Sequence, residues 1–114
     1  MNIHYLEVVT EDVDGICAMY EEIYGVSFGQ QEADLGHARA AKLPNGNLIG
    51  VRAPLADHET PIARTYVAVD DIEAATKKAA DHGAVVAYPP TKQGTWGTFA
   101  IVIHGGVQHG LWQP

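Results

Sequence analysis

Glu7 is the residue whose type and position most invite chemistry. It lies mid-way along Ile3-His4-Tyr5-Leu6-Glu7-Val8-Val9-Thr10, a run whose β-branched and aromatic content reads as a strand. Alternation puts Ile3, Tyr5, Glu7 and Val9 on one face and His4, Leu6 and Val8 on the other. Leu6 and Val8 are the better core pair, so Tyr5 and Glu7 are expected to look into the space that the opposite face borders. A carboxylate there incurs a desolvation cost unless a cation pairs with it. Arg52 and Arg64 are the natural partners, since both occupy runs expected to border the same cavity. Two readings stand for Glu7: a general base or ligand anchor, or half of a structural Glu–Arg pair on the barrel floor.

Other residues carry weaker signals. Tyr5, Tyr66, Trp96 and Trp112 are expected to line an apolar pocket with a polar tip, and Gln108, on the strand face of Gly110 and Trp112, adds an amide. The plainer alternative is that these rings are core. His4, His37, His58, His82, His104 and His109 show no short metal-ligand spacing, and read as surface or partly buried structural histidines. Cys17 falls on a helical apolar stripe and reads as a small core residue. Thr91-Lys92-Gln93-Gly94 is either a flap over the cleft or a plain surface loop.

The elements that must position these residues occur twice. Tyr5-Leu6-Glu7-Val8-Val9 leads to Asp12, a helical stretch ending at Gly25, and three strand-like runs; Tyr66-Val67-Ala68-Val69 leads to Asp70 and Asp71, a helical stretch ending at Gly83, and three more. Thr10 or Asp12 caps the first helix, whose stripe is Val13, Ile16, Cys17, Tyr20, Ile23 and Tyr24. Its following strands are predicted over Val26–Gln30, His37–Leu43 and Asn47–Ala53, with Pro44-Asn45-Gly46 as a tight turn. The second set is predicted over Ala84–Tyr88, Gly97–Ile103 and Val107–Trp112, with Gly105-Gly106 as the matching turn and 89–96 as a loop. The chain therefore reads as α+β, two βαβββ modules over 1–54 and 62–114 joined by a linker at 55–61, in a single domain. A ferredoxin-like sandwich has too few strands.

The 114 residues suffice for one core and not for two independent ones. A formal net charge of −7 argues against nucleic acid or an anionic membrane as the main partner. A single cysteine excludes an internal disulfide and a multi-cysteine metal site. There is no apolar run of membrane-spanning length, and Met1-Asn2-Ile3-His4 enters the first strand without a basic start or apolar leader. A cytoplasmic location is the expectation.

The order strand, helix, three strands, repeated over nearly the whole chain, resembles the vicinal oxygen chelate superfamily of glyoxalase I, bleomycin-resistance proteins and extradiol dioxygenases. Tyr5-Leu6-Glu7-Val8-Val9-Thr10-Glu11-Asp12 is similar to the opening of a glyoxalase-like branch related to lactoylglutathione lyase. Met19-Tyr20, Tyr24-Gly25 and the ending Gly110-Leu111-Trp112-Gln113-Pro114 resemble that branch as well. The resemblance implies two modules forming an open, curved, barrel-like sheet with helices outside. It also implies a divalent metal on four inward positions, normally His and Glu. Carried over by spacing from Asp12, Gly46, Asp70 and Gly106, these positions read Tyr5, Gly50, Arg64 and Gly110, none an ordinary metal ligand. No metal or other cofactor is therefore expected, unless a metal sits on displaced ligands. Gly50 and Gly110 imply either a wider cleft or a bulge that helps the sheet curl.

The function expected from these residues is binding of a small organic ligand by a glyoxalase-like protein that has lost the usual metal ligands. Tyr5, Arg52, Arg64, Tyr66, Trp96, Gln108 and Trp112 are the expected contacts. The alternative is a lyase-, isomerase- or dioxygenase-type enzyme on a small oxygenated substrate, with Glu7 as base or a metal on displaced ligands. Exposed edges and apolar faces of half-open sheets further predict a homodimer.

Overall fold

A computed structural model describes all 114 residues. It contains eight strands and two helices in the predicted order, a βαβββ pattern given twice: β1 (Ile3–Val9), α1 (Val13–Tyr24), β2 (Gln31–Glu32), β3 (Ala38–Lys42) and β4 (Leu48–Arg52), then β5 (Ile62–Ala68), α2 (Ile72–Asp81), β6 (Val85–Lys92), β7 (Thr98–His104) and β8 (Val107–Gln113). The chain divides into two compact units, Tyr5–Ala63 and Met1–His4 with Arg64–Pro114. Neither helix is long and apolar enough to cross a membrane.

In the Tyr5–Ala63 unit the strands are ordered β2-β3-β4-β1, antiparallel except for the parallel pair β1–β4. Asp12 caps α1 by accepting from the Gly15 N–H (3.1 Å), while Thr10 Oγ1 accepts from the Asp12 N–H (3.0 Å). Gly25 closes the helix in the left-handed region at φ 68°, its N–H bonded to Glu21 O. The apolar stripe of α1 meets one face of the sheet. Val8, Cys17, Phe28, Ala41 and Val51 form the core, with Leu6, Val13, Ile16, Tyr20, Val26 and Ile49 packed on it. Cys17 is fully buried, and burial pushes its thiol above the ordinary range.

The strand predicted over Val26–Gln30 is absent. That segment is tied down by other bonds: the Phe28 N–H donates to Glu21 Oε2 and the Gly29 N–H to Ala40 O, both at 3.0 Å. The ladder is left to Gln31 and Glu32 alone. His37, predicted to open β3, instead turns the chain at φ 64°.

In the second unit the order is β5-β8-β7-β6, again with one parallel pair, β5–β8. Asp71 caps α2, and Gln113 Oε1 accepts from the Ile72 N–H (2.9 Å), tying the helix start to the end of β8. β6 runs through Pro89 and Pro90, which the sequence had assigned to a loop. The strand is an edge with register shifts at Val86/Tyr88 and Tyr88/Thr91, so prolines without an N–H fit it at little cost. With β2 and β6 as open edges, neither set of strands closes into a barrel.

Candidate functional site

Parallel pairing of β1 with β4 sets Glu7 beside Gly50 and Val9 beside Arg52. Glu7 is 7% exposed and Arg52 5%, so each charge needs compensation from the other. Arg52 Nε donates to Glu7 Oε2 at 2.8 Å. The far end of the same guanidinium is gripped by Glu59, with Nη1 to Oε1 at 2.9 Å and Nη2 to Oε2 at 2.8 Å, a two-bond fork. Nη1 also donates to Ala53 O (3.1 Å), and Glu59 Oε1 accepts from the Leu55 N–H (2.7 Å). Burial alone would depress the Arg52 guanidinium. The hydrogen bonds and charges of Glu59 and Glu7 outweigh it and hold the group above its ordinary range.

Arg52, one of the two arginines expected to pair with Glu7, lies at bonding distance from it. Glu59 escaped the sequence reading because it lies in an irregular acidic segment with no periodicity to assign it a face. The only hint was its position in the short linker that leaves β4 just after Arg52.

The space beside Gly50 and Gly110 is filled. A Cβ on Gly50 would collide with the Tyr5 hydroxyl and come 2.7 Å from Cζ; one on Gly110 would strike the Tyr66 ring, 2.6 Å from Cγ, and the Thr65 carbonyl at 2.7 Å. Tyr5 and Tyr66 are both 3% exposed. The wider cleft, one of the two readings for these glycines, is therefore replaced by an aromatic ring laid over bare backbone in each unit, an arrangement that restores packing where a strand lacks a side chain.

In the second unit Tyr66 is the counterpart of Glu7, opposite Gly110. Its ring meets Trp112 edge-on (5.7 Å, 83°) and Phe99 likewise (6.2 Å, 75°). Arg64, 7% exposed, donates from Nε to Gln108 Oε1 (2.9 Å), and Nη1 lies 3.4 Å from Tyr66 Oη. Arg64, Tyr66, Gln108 and Trp112 are thus brought together. Trp96 is not one of the ring partners: it sits half-buried in the β6–β7 turn, its N–H donating to Gln93 O (3.0 Å). Phe99, unremarked in the sequence, and His4, read there as a structural histidine, join this cluster, with the His4 ring 5.9 Å from that of Trp112. Thr91 and Lys92, considered for a flap, belong to β6.

The histidines do not assemble, and no group of three or more His, Cys, Asp or Glu side chains is arranged to hold a metal ion. His4 has a further consequence. Burial holds its imidazole below the ordinary value of 6.5, so the unfolded chain takes up a proton there first. His4 thus contributes stability above pH 6.5 that falls away as pH drops from that value through the folded pKa. A His4→Phe variant is expected to flatten the pH dependence of urea unfolding over this window; an unchanged slope would remove His4 as its source.

Solved structures share this architecture. The Mycobacterium tuberculosis methylmalonyl-CoA epimerase superposes with a TM-score of 0.76 at 20% identity, covering 99% of this chain and 87% of that one. A hypothetical protein from Bacillus halodurans gives 0.76 at 12% identity, covering 99% and 94%. A Streptomyces coelicolor methylmalonyl-CoA epimerase variant in complex with 2-nitronate-propionyl-CoA gives 0.70 at 17% identity, covering 99% and 96%. The chain shares the glyoxalase-like fold of these structures. No protein-family model and no curated protein sequence matches the chain. Of the four positions where the resemblance implies metal ligands, Gly50 lies against Tyr5, Gly110 lies against Tyr66 and Arg64 is a cation, while the one carboxylate of β1, Glu7, is bonded to Arg52.

Proposed function

We propose that this chain is a small-molecule binding protein that uses the vicinal oxygen chelate frame without a divalent metal. The observation that carries this reading is the occupation of the Gly50 and Gly110 sites by Tyr5 and Tyr66. A ligating side chain at either glycine would need the space its tyrosine fills. In neither unit do the donors fit a hard or borderline cation: in Tyr5–Ala63 the Glu7 and Glu59 carboxylates are already bonded to Arg52 beside the Tyr5 phenol, and in the other unit there are the Tyr66 phenol and the Arg64 guanidinium. Each unit offers its own groups to a ligand: Tyr5 and Arg52 in the first, with Glu7 orienting Arg52, and Arg64, Tyr66, Gln108, Trp96 and Trp112 in the second. The epimerase complex with a CoA-linked ligand supports a small organic acid or its thioester as the class to screen first. A homodimer belongs to this reading, supported by Val85, Tyr88 and Val107, each more than half exposed on β6 and β8.

Protein purified without chelator is expected to carry no stoichiometric metal, and its ligand-induced rise in melting temperature is expected to survive EDTA. Stoichiometric Ni, Zn, Mn or Fe, or a response abolished by EDTA, would sink the metal-free reading.

A second reading, an isomerase-type enzyme with Glu7 as base, draws on the likeness to epimerases along 99% of the chain. Glu7 Oε2 accepts from Arg52 Nε, so taking a substrate proton at that oxygen requires the pair to open. Solvent deuterium entering the α-carbon of methylmalonyl-CoA, and ceasing in Glu7→Gln, would favour this reading over simple binding.

A further inference from the structure

β6 is the long bare edge of the structure. Of its eight residues only Pro90 is not exposed, so the strand lacks cover on both faces as well as along one side. β2, the other edge, is two residues long and carries Glu32, so shortness and charge already blunt it. An apolar edge such as β6 is a template for another strand.

The register decides which side chains a newcomer meets. Val85 lies opposite Ile103 and Tyr88 opposite Ile101, which sets Val85 and Tyr88 on one face of the sheet. Residues three apart on a regular strand point to opposite faces. The register shift between Val86 and Tyr88 removes that difference. Val85 and Tyr88 are more than half exposed, and Ile103 beside them is exposed as well.

Charge singles out the same strand. All 14 acidic residues lie within 7–81, while 82–114 holds Lys92, His82, His104 and His109 and no acid at all. The nearest acid along the chain, Asp81, is bonded to Lys77 at 3.1 Å. Copies of a chain with a formal net charge of −7 repel one another. A second copy therefore meets least opposition where the sequence has no carboxylates.

We propose that β6 joins two copies of this chain, antiparallel across a two-fold axis, over Val85–Tyr88. Pro89 and Pro90 have no N–H to donate, so pairing stops before them and the longest self-pairing is unique. In it Val85 lies opposite the partner's Tyr88 and Val86 opposite the partner's Ala87, with the axis midway. A two-fold perpendicular to the sheet keeps each face on its own side. Because the bulge puts Val85 and Tyr88 on one face, the contact is self-complementary. Each end closes with an aliphatic–aromatic cross-strand pair. So short a contact belongs with weak, concentration-dependent dimers. This rests on the homodimer of the reading above and gives it an edge and a register.

Disulfide trapping tests the register. Cys17 is fully buried, so new surface cysteines react alone. Opposed residues stand about 4.5–5.5 Å apart at Cα, within disulfide reach. Mixing Val85→Cys with Tyr88→Cys chains under mild oxidation is expected to give a linked dimer about 10-fold faster than either variant alone. Equal linkage by a single variant would overturn the proposal. Sedimentation of the unmodified chain is expected to show monomer giving way to dimer as concentration rises toward about 1 mM. Tyr88→Asp should remove that dimer, whereas Tyr24→Asp, also more than half exposed but on α1, should leave it; circular dichroism checks that both fold. A dimer that survives Tyr88→Asp, or is lost equally in Tyr24→Asp, overturns the β6 contact and keeps the homodimer. A chain that stays monomeric throughout overturns both. Metal content and the EDTA response do not depend on assembly, so the small-molecule reading stands or falls apart from this contact.

Discussion

Gly110→Ala is expected to destabilise the chain by about 3 kcal/mol or more, at or beyond the upper end of overpacking costs. The added methyl would meet the root of the Tyr66 ring and the Thr65 carbonyl, and neither yields easily. The carbonyl belongs to the neighbouring strand, and the ring is held by Trp112 and Phe99. Gly50→Ala looks alike on paper but should cost less. Its obstacle is the hydroxyl end of Tyr5, which a small χ rotation moves. Tyr5→Phe removes the colliding oxygen, so the pair Gly50→Ala with Tyr5→Phe should recover part of the loss, whereas Tyr66→Phe should do nothing for Gly110→Ala. Urea unfolding of these four variants checks this order. A Gly110→Ala penalty below about 1 kcal/mol, the size of an ordinary substitution, would mean the strands part easily there and the ring is no fixture.

The second large effect is at Arg52. Arg52→Met keeps most of the side-chain volume but strips Glu7 and Glu59 of the guanidinium they share. Removing one member of a buried ion pair typically costs about 3–5 kcal/mol because the other charge stays behind. The expected loss is of that size, and Glu7→Gln in the same chain should return part of it, since a neutral amide is easier to bury than a carboxylate. A double-mutant cycle read by thermal unfolding decides the matter. If the two changes simply add, Glu7 and Arg52 are not coupled, and the inner face of β1 and β4 is held by packing alone.

Much of this was readable before any coordinates. The duplicated strand–helix–strand order depends on period and punctuation, and both are local. Asp12, Gly25 and the Pro44-Asn45-Gly46 and Gly105-Gly106 turns act within a few residues of themselves, and all fell where predicted. The Glu7–Arg52 pair was also accessible, since a mid-strand acid needs a cation. What misled was reasoning from a missing side chain to empty space. Gly50 and Gly110 were seen, but a sequence does not say which way a tyrosine on the adjacent strand will lean. Val26–Gln30 failed for a related reason: its partners are the Glu21 side chain and the Ala40 carbonyl, and a distant acceptor replaces a ladder without changing the apolar pattern. Pro89-Pro90 was set aside as a loop because proline breaks a central strand, and only topology reveals that β6 is an edge.

The division of the first strand has a consequence for how such a chain is inherited. Residues 1–4 cluster with the second compact unit, where Asn2 O accepts the Ala68 N–H at 2.8 Å and His4 stacks on Trp112. The repeat in the sequence and the seam between units therefore do not coincide. A gene cut in the middle would translate into two fragments, the first carrying off a tip that the second has built around. The two halves follow one strand–helix–strand pattern, yet the tip of β1 packs with the second unit and not with its own module.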